Sequence, residues 1–286
     1  MVKNWFTEAR TAWNSMNVKQ KLEVFQQTEN YAAKLQERRA RKIINNSTFG
    51  NNAIDGIVVA NYSPQFPNYI NVVNMNIPFM MAINAIFHEG VHALTDDYIR
   101  NLSNIKVLMP IDRKKLNNHI KTRELFYNYF SRTPIMPLYQ IKCYEEQMAE
   151  KESAMMLFKI LCESSLDIGK IASSLDEYFN YILFRLHELD KISRMYQARY
   201  KIDYNYEEYR LMNAYSNELN PVSTQKTILD KQDKELIDCF DSVFTLAKKL
   251  MNSKDGEESQ IVCEILNHCN DYTGVLIQRK IFGGDE

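Results

Sequence analysis

His88-Glu89-Gly90-Val91-His92, read with the apolar run 80–87 that leads into it, decides how the rest of the chain is understood. Residues four apart on an α-helix share a face, so both imidazoles can point at one ion. Glu89, the next residue along from His88, falls beside that ion and can take a proton from its water. The chemistry therefore demands a helix, and the neighbouring residues predict one. Met80, Ile83, Ile86, Phe87, Val91 and Leu94 recur at three- and four-residue spacing, the core stripe of an amphipathic helix. Asn76 or a neighbour is a candidate cap, and Pro78 suits a first turn. The bland alternative is two solvated histidines spaced by chance. The chain has only five histidines, and two stand at the required spacing in an apolar helix. The metal reading is the stronger one.

Composition sets the frame around the motif. The 286 residues are 45% hydrophobic and 25% charged, with a formal net charge of -1, which describes an ordinary globular chain. That balance offers no electrostatic footprint for nucleic acid. Eight Gly and seven Pro are few for the length and predict a mostly helical protein. No N-terminal signal region or run of about 18 apolar residues is present, so a cytoplasmic protein without membrane spans is expected. Cys143, Cys162, Cys239, Cys263 and Cys269 are scattered and odd in number, which predicts reduced, buried thiols. Cys263, His268 and Cys269 do not match a zinc-knuckle spacing.

Outward from the motif, the expected fold is α+β and predominantly α-helical. Residues 3–45 read as helix, with a break at 15–17 and Asn17 capping the second piece. The basic run 37–42 then closes that helix as a solvated face. Residues 56–62 and 69–74 read as β-branched strands, forming a hairpin or the edge of a small sheet beside the motif helix. Residues 101–140 are expected to cover one side of the site, with a helix at 116–130. Further helices are expected at 144–161, 174–199, 223–251 and 258–282. A catalytic region over 1–160 and a helical region over 161–286 would pack as one continuous unit.

Two histidines need a third protein ligand and a fourth position left to solvent. Asp96 follows His92 by four residues, but eight residues from His88 is about 12 Å of helical rise, too far for one ion. Glu146 and Glu150 are four apart on the acidic helix, so one can bind metal while the other supports a ligand histidine. Ala149 and Ala154 would let that helix approach the motif helix closely. Either glutamate can be the ligand, with Glu146 favoured because Glu150, a turn later, is then free to orient a ring. His119 and His187 are weaker candidates for the third ligand or for binding an oxyanion, a role that Tyr98, Tyr139 or Tyr144 could also fill.

H-E-G-V-H at 88–92 followed by E-E-Q-M-A-E at 145–150 resembles the zincin metallopeptidases in their gluzincin arrangement. The resemblance implies a zincin-like core in which His88, His92 and Glu146 bind Zn2+. It further implies that Glu89 is general base and acid and that Glu150 orients a ligand histidine. Glu145-Glu146 stands where that family commonly has Asn-Glu, and Ala149-Glu150 where it has Ser-Asp. The strand pair ahead of the motif also resembles compact zincins of prophages and mobile elements. A zinc-dependent peptidase acting on a peptide or protein substrate is the expected function. The rival of another class is a catalytically inactive zincin-fold binding or effector protein of a prophage or mobile element.

Overall fold

The computed structural model describes residues 2–46, 59–63, 65–103, 136–165, 167–200, 231–254 and 256–282. Among them are seven α-helices and one three-stranded sheet, so the chain is α+β and mostly helical. Helix α1 (Val2–Ala12) runs into a single 3-10 turn (Trp13–Ser15) and then α2 (Val18–Leu35). The expected break is there, and Asn17 closes it with a capping box: its Oδ1 accepts from Gln20 N–H while Gln20 Oε1 accepts from Asn17 N–H.

The end of α2 corrects the sequence reading. The helix stops at Leu35 instead of continuing to 45. Arg38 N–H bonds Ala33 O and Glu37 N–H bonds Lys34 O, with Glu37 in the left-handed region at φ 47°. This turns the chain back so that the Arg38 guanidinium lies against Glu29, both buried. Glu29 Oε1 also accepts the Arg41 N–H at 2.7 Å, and Arg41 reaches Asp97 at 2.6 Å. The basic run is thus a solvated face only in part: Arg39 and Lys42 are exposed, whereas Arg38 and Arg41 are buried, ion-paired ties. Local helix formers lost to a tertiary pair whose Glu29 sits nine residues earlier.

Freed from the helix, Lys42–Ile44 becomes β1, a strand that the sequence reading missed. β2 (Ala60–Tyr62) and β3 (Tyr69–Val72) pair antiparallel with Asn61 opposite Asn71, while β1 lies parallel to β3. β3 is therefore central, and β2 is an outer strand facing the motif helix.

α3 (Phe79–Ser103) carries the motif. Met80, Ile83, Ile86, Phe87, Val91 and Leu94 are all buried, as their spacing predicts. Pro78 stands just ahead of the helix, its carbonyl accepting from Ala82 N–H. Asn76 lies further back, its own N–H bonded to Asn74 Oδ1. The approach to α3 is pinned by the N-terminal helices. Trp13 Nε1 donates to Ile77 O at 2.7 Å and Lys21 Nζ to Met75 O at 2.9 Å. Phe79 packs edge-on to Phe6 and Trp13, and each such buried ring contributes about 1.5–3 kcal/mol.

α4 (Met136–Ser164) begins earlier than predicted and is the central helix, buried all round over residues 152–162. It touches α1, α3, α5 (Ile168–Tyr200), α6 (Lys231–Met251) and α7 (Glu258–Phe282). Asp167 precedes α5, its Oδ1 accepting from Lys170 N–H, which starts that helix six residues ahead of the expected position. One cluster of buried apolar side chains runs from Phe6 to Leu276. The predicted helix at 116–130, most of the covering segment, and residues 223–230 lie outside the described residues. No described helix is long and apolar enough to cross a membrane.

Candidate metal centre

α3 and α4 together build the site. Ala149, Ser153 and Ala154 are fully buried, small enough to bring α4 against α3. That approach carries Glu146 to the histidine face. His88 Nε2 lies 2.9 Å from Glu146 Oε2 and 3.2 Å from His92 Nε2, and His92 Nε2 lies 3.7 Å from Glu146 Oε1. Four ligands at roughly 2.0–2.1 Å from a tetrahedral zinc stand about 3.3 Å from one another. The observed separations bracket that value, with both rings presenting the same nitrogen to a common point. Among the described residues, His88, His92 and Glu146 are the group of His, Cys, Asp and Glu side chains close enough to share an ion. Their side chains are 10%, 11% and 19% exposed, so the point between them is sheltered but reachable.

The electrostatics suit a cation. Burial alone would depress the His88 pKa, yet the Glu146 hydrogen bond and the Glu150, Glu146 and Glu89 charges push it up to about 9. In the metal-free protein a proton on His88 offsets part of the negative charge gathered there. A dication held by the same atoms would take over that role.

Glu150 stands on the other edge of His88, its Oε1 3.7 Å from Nδ1, which is ion-pair distance and longer than a hydrogen bond. It is buried and held from two sides. Asn84 Nδ2 donates to Oε2 at 3.4 Å, and Arg185 Nε from α5 to Oε1 at 3.3 Å. Neither bond to Glu150 is among the contacts expected from the sequence. Asn84 lies one turn before His88 on the same face and was legible there; Arg185 leaves no signal in spacing. Nor was Tyr62 foreseen, whose main-chain N–H donates to Glu89 Oε2 at 2.7 Å.

The remaining candidates fall elsewhere. Asp96 is buried and accepts the Tyr62 hydroxyl at 2.7 Å, and it is not part of the group that could share an ion. His187 is exposed on α5. His119 and the side chains of Tyr98, Tyr139 and Tyr144 lie outside the described residues. Cys162 and Cys269 are buried, Cys239 is half-buried, and Cys263 is exposed, which corrects the expectation that the thiols are all buried. Compared with known protein families, curated proteins and solved structures, the chain has no match in any of the three.

Proposed function

We propose that this protein is a zinc-dependent hydrolase with a zincin-like core, acting on peptide bonds. The observation that carries the reading is the meeting of His88 Nε2, His92 Nε2 and the Glu146 carboxylate at tetrahedral spacing beside Glu89. Two imidazoles and one carboxylate are a donor set that zinc accepts, with a fourth position open to solvent. When bound, zinc supplies Lewis acidity, drawing the pKa of its water towards about 7 and polarising the scissile carbonyl.

The chain's own residues do the rest. Glu89 takes the proton of the attacking water as its oxygen adds to the scissile carbonyl carbon, and then delivers that proton to the amide nitrogen, so that the C–N bond breaks and the amine leaves. The Tyr62 amide fixes one oxygen of that carboxylate. Glu150, anchored by Asn84 and Arg185, sets a negative charge 3.7 Å from His88 Nδ1, which raises the basicity of that ring as a ligand.

The deciding assay is turnover of a diverse peptide library by zinc-loaded wild type and Glu89→Gln. Hydrolysis by wild type, lost in the variant at unchanged zinc content, supports the proposal. Stoichiometric zinc with no hydrolysis by wild type favours the inactive binding or effector protein instead.

A further inference from the structure

We infer that Tyr62 and Asp96 are positioning residues for Glu89. Tyr62 meets the motif helix at two points. Its N–H donates to Glu89 Oε2 and its hydroxyl to Asp96 Oδ2, each at 2.7 Å. Glu89 and Asp96 are seven residues apart, two turns on one helical face, and Tyr62 bridges them. The Asp96 end of the bridge is sheltered: Tyr62 and Asp96 are buried, as is Arg41, whose guanidinium lies 6.0 Å from the Tyr62 ring centre and is tied to Asp97, while Glu89 at the other end is half-buried.

The bridge matters because β2 is a weak support by itself. It has three residues and, among the described residues, pairs with β3 on one side only. The hydroxyl bond fastens the strand to α3 at a second place and so sets the direction of the Tyr62 N–H. That N–H in turn fixes which way the Glu89 carboxylate faces. Burial and the Asp96 charge raise the phenol pKa, so Tyr62 stays a donor at neutral pH. A general base has to stand within about 2.6–3.2 Å of the oxygen whose proton it takes, so a loosened carboxylate loses rate more than binding. This catalytic consequence rests on the hydrolase reading above; the mechanical link from Asp96 to Glu89 does not.

The test reads the backbone amide of residue 62 by NMR shift and hydrogen exchange, in metal-free and zinc-loaded full-length protein. Tyr62→Phe keeps ring and strand and removes one oxygen. It is expected to speed exchange of the residue-62 amide by roughly tenfold while core amides such as that of Phe25 keep theirs. Asp96→Asn, which keeps shape and an acceptor, should give a smaller change at the same amide and serves where Tyr62→Phe folds poorly. Glu89→Gln should move that amide resonance upfield, because its acceptor is no longer charged. On a peptide substrate, Tyr62→Phe should lower kcat by about 10- to 100-fold with KM and zinc content unchanged.

Unaltered exchange and shift at residue 62 in both Tyr62→Phe and Asp96→Asn would overturn the inference, as would unchanged kcat in Tyr62→Phe. If the amide responds as expected but wild type hydrolyses nothing, the hydrolase reading fails and the link stands. If wild type turns over and the variants leave amide and kcat alone, the link fails and the hydrolase reading stands.

Discussion

A Cβ on Gly90 would sit 2.7 Å from Arg38 Nη2, so the third residue of the motif is glycine because a buried ion pair lies against it. Glu29 Oε2, bonded to that same Nη2 at 2.9 Å, would be 3.4 Å away. The α2 turn and the motif helix are thereby locked at their closest approach, on the side of α3 away from the metal ligands.

Gly90→Ala is accordingly expected to destabilise. The displaced guanidinium cannot swing away without leaving the buried Glu29 carboxylate only the Arg41 amide as partner, and overpacking of this kind costs about 1–3 kcal/mol. Better helix propensity returns up to roughly 1 kcal/mol, leaving a net loss. Gly274 in α7 has nothing within 4 Å of its Cβ position, so Gly274→Ala should stabilise by about 0.5–1 kcal/mol. Urea midpoints of the two variants should move in opposite directions; movement in the same direction would contradict the close approach at Gly90.

The two glutamates of α4 are distinguished by zinc affinity. Glu150→Ala removes a support behind His88 and should weaken zinc binding by about 10- to 100-fold while leaving one ion bound at saturation. Glu146→Ala takes away a ligand, and competition with a chromogenic chelator should show a much larger loss. The reverse ranking would assign the ligand to Glu150.

Protonation of His88 gives the metal-free protein a defined pH response. The folded-state pKa is raised from 6.5 to about 9, so the charged ring contributes stability that is full below about 6.5 and is lost as pH rises through about 9. Thermal melts of metal-free protein should therefore fall between pH 6.5 and 9 more steeply than those of His88→Gln. Zinc has to displace the same proton, so apparent affinity should climb over that window and flatten above it. Calorimetry at pH 7.5 in buffers of different ionisation enthalpy should show about one proton released from His88. An affinity independent of pH across the window would contradict the assignment.

Much of this arrangement is legible in the sequence where periodicity or capping chemistry carries it. The buried stripe of α3, the Asn17 break and the bounds of α7 follow from spacing and from caps a few residues away. The placing of Glu146 and Glu150 near His88 was approachable because small residues on α4 mark a close helix contact. What escaped depends on partners distant in the chain. The run Glu37-Arg38-Arg39-Ala40-Arg41-Lys42 is made of helix formers and hides β1, because its conformation is set by Glu29 and Asp97. Tyr62 and Arg185 reach Glu89 and Glu150 across 27 and 35 residues, and no local pattern records such a meeting.

The most direct measurement is anomalous diffraction at the zinc edge from crystals grown with zinc. One peak is expected, bonded to His88 Nε2, His92 Nε2 and a Glu146 carboxylate oxygen at about 2.0–2.2 Å, with Glu89 beside it but not bonded. No peak there, or a peak held by other side chains, would contradict the proposed zinc site.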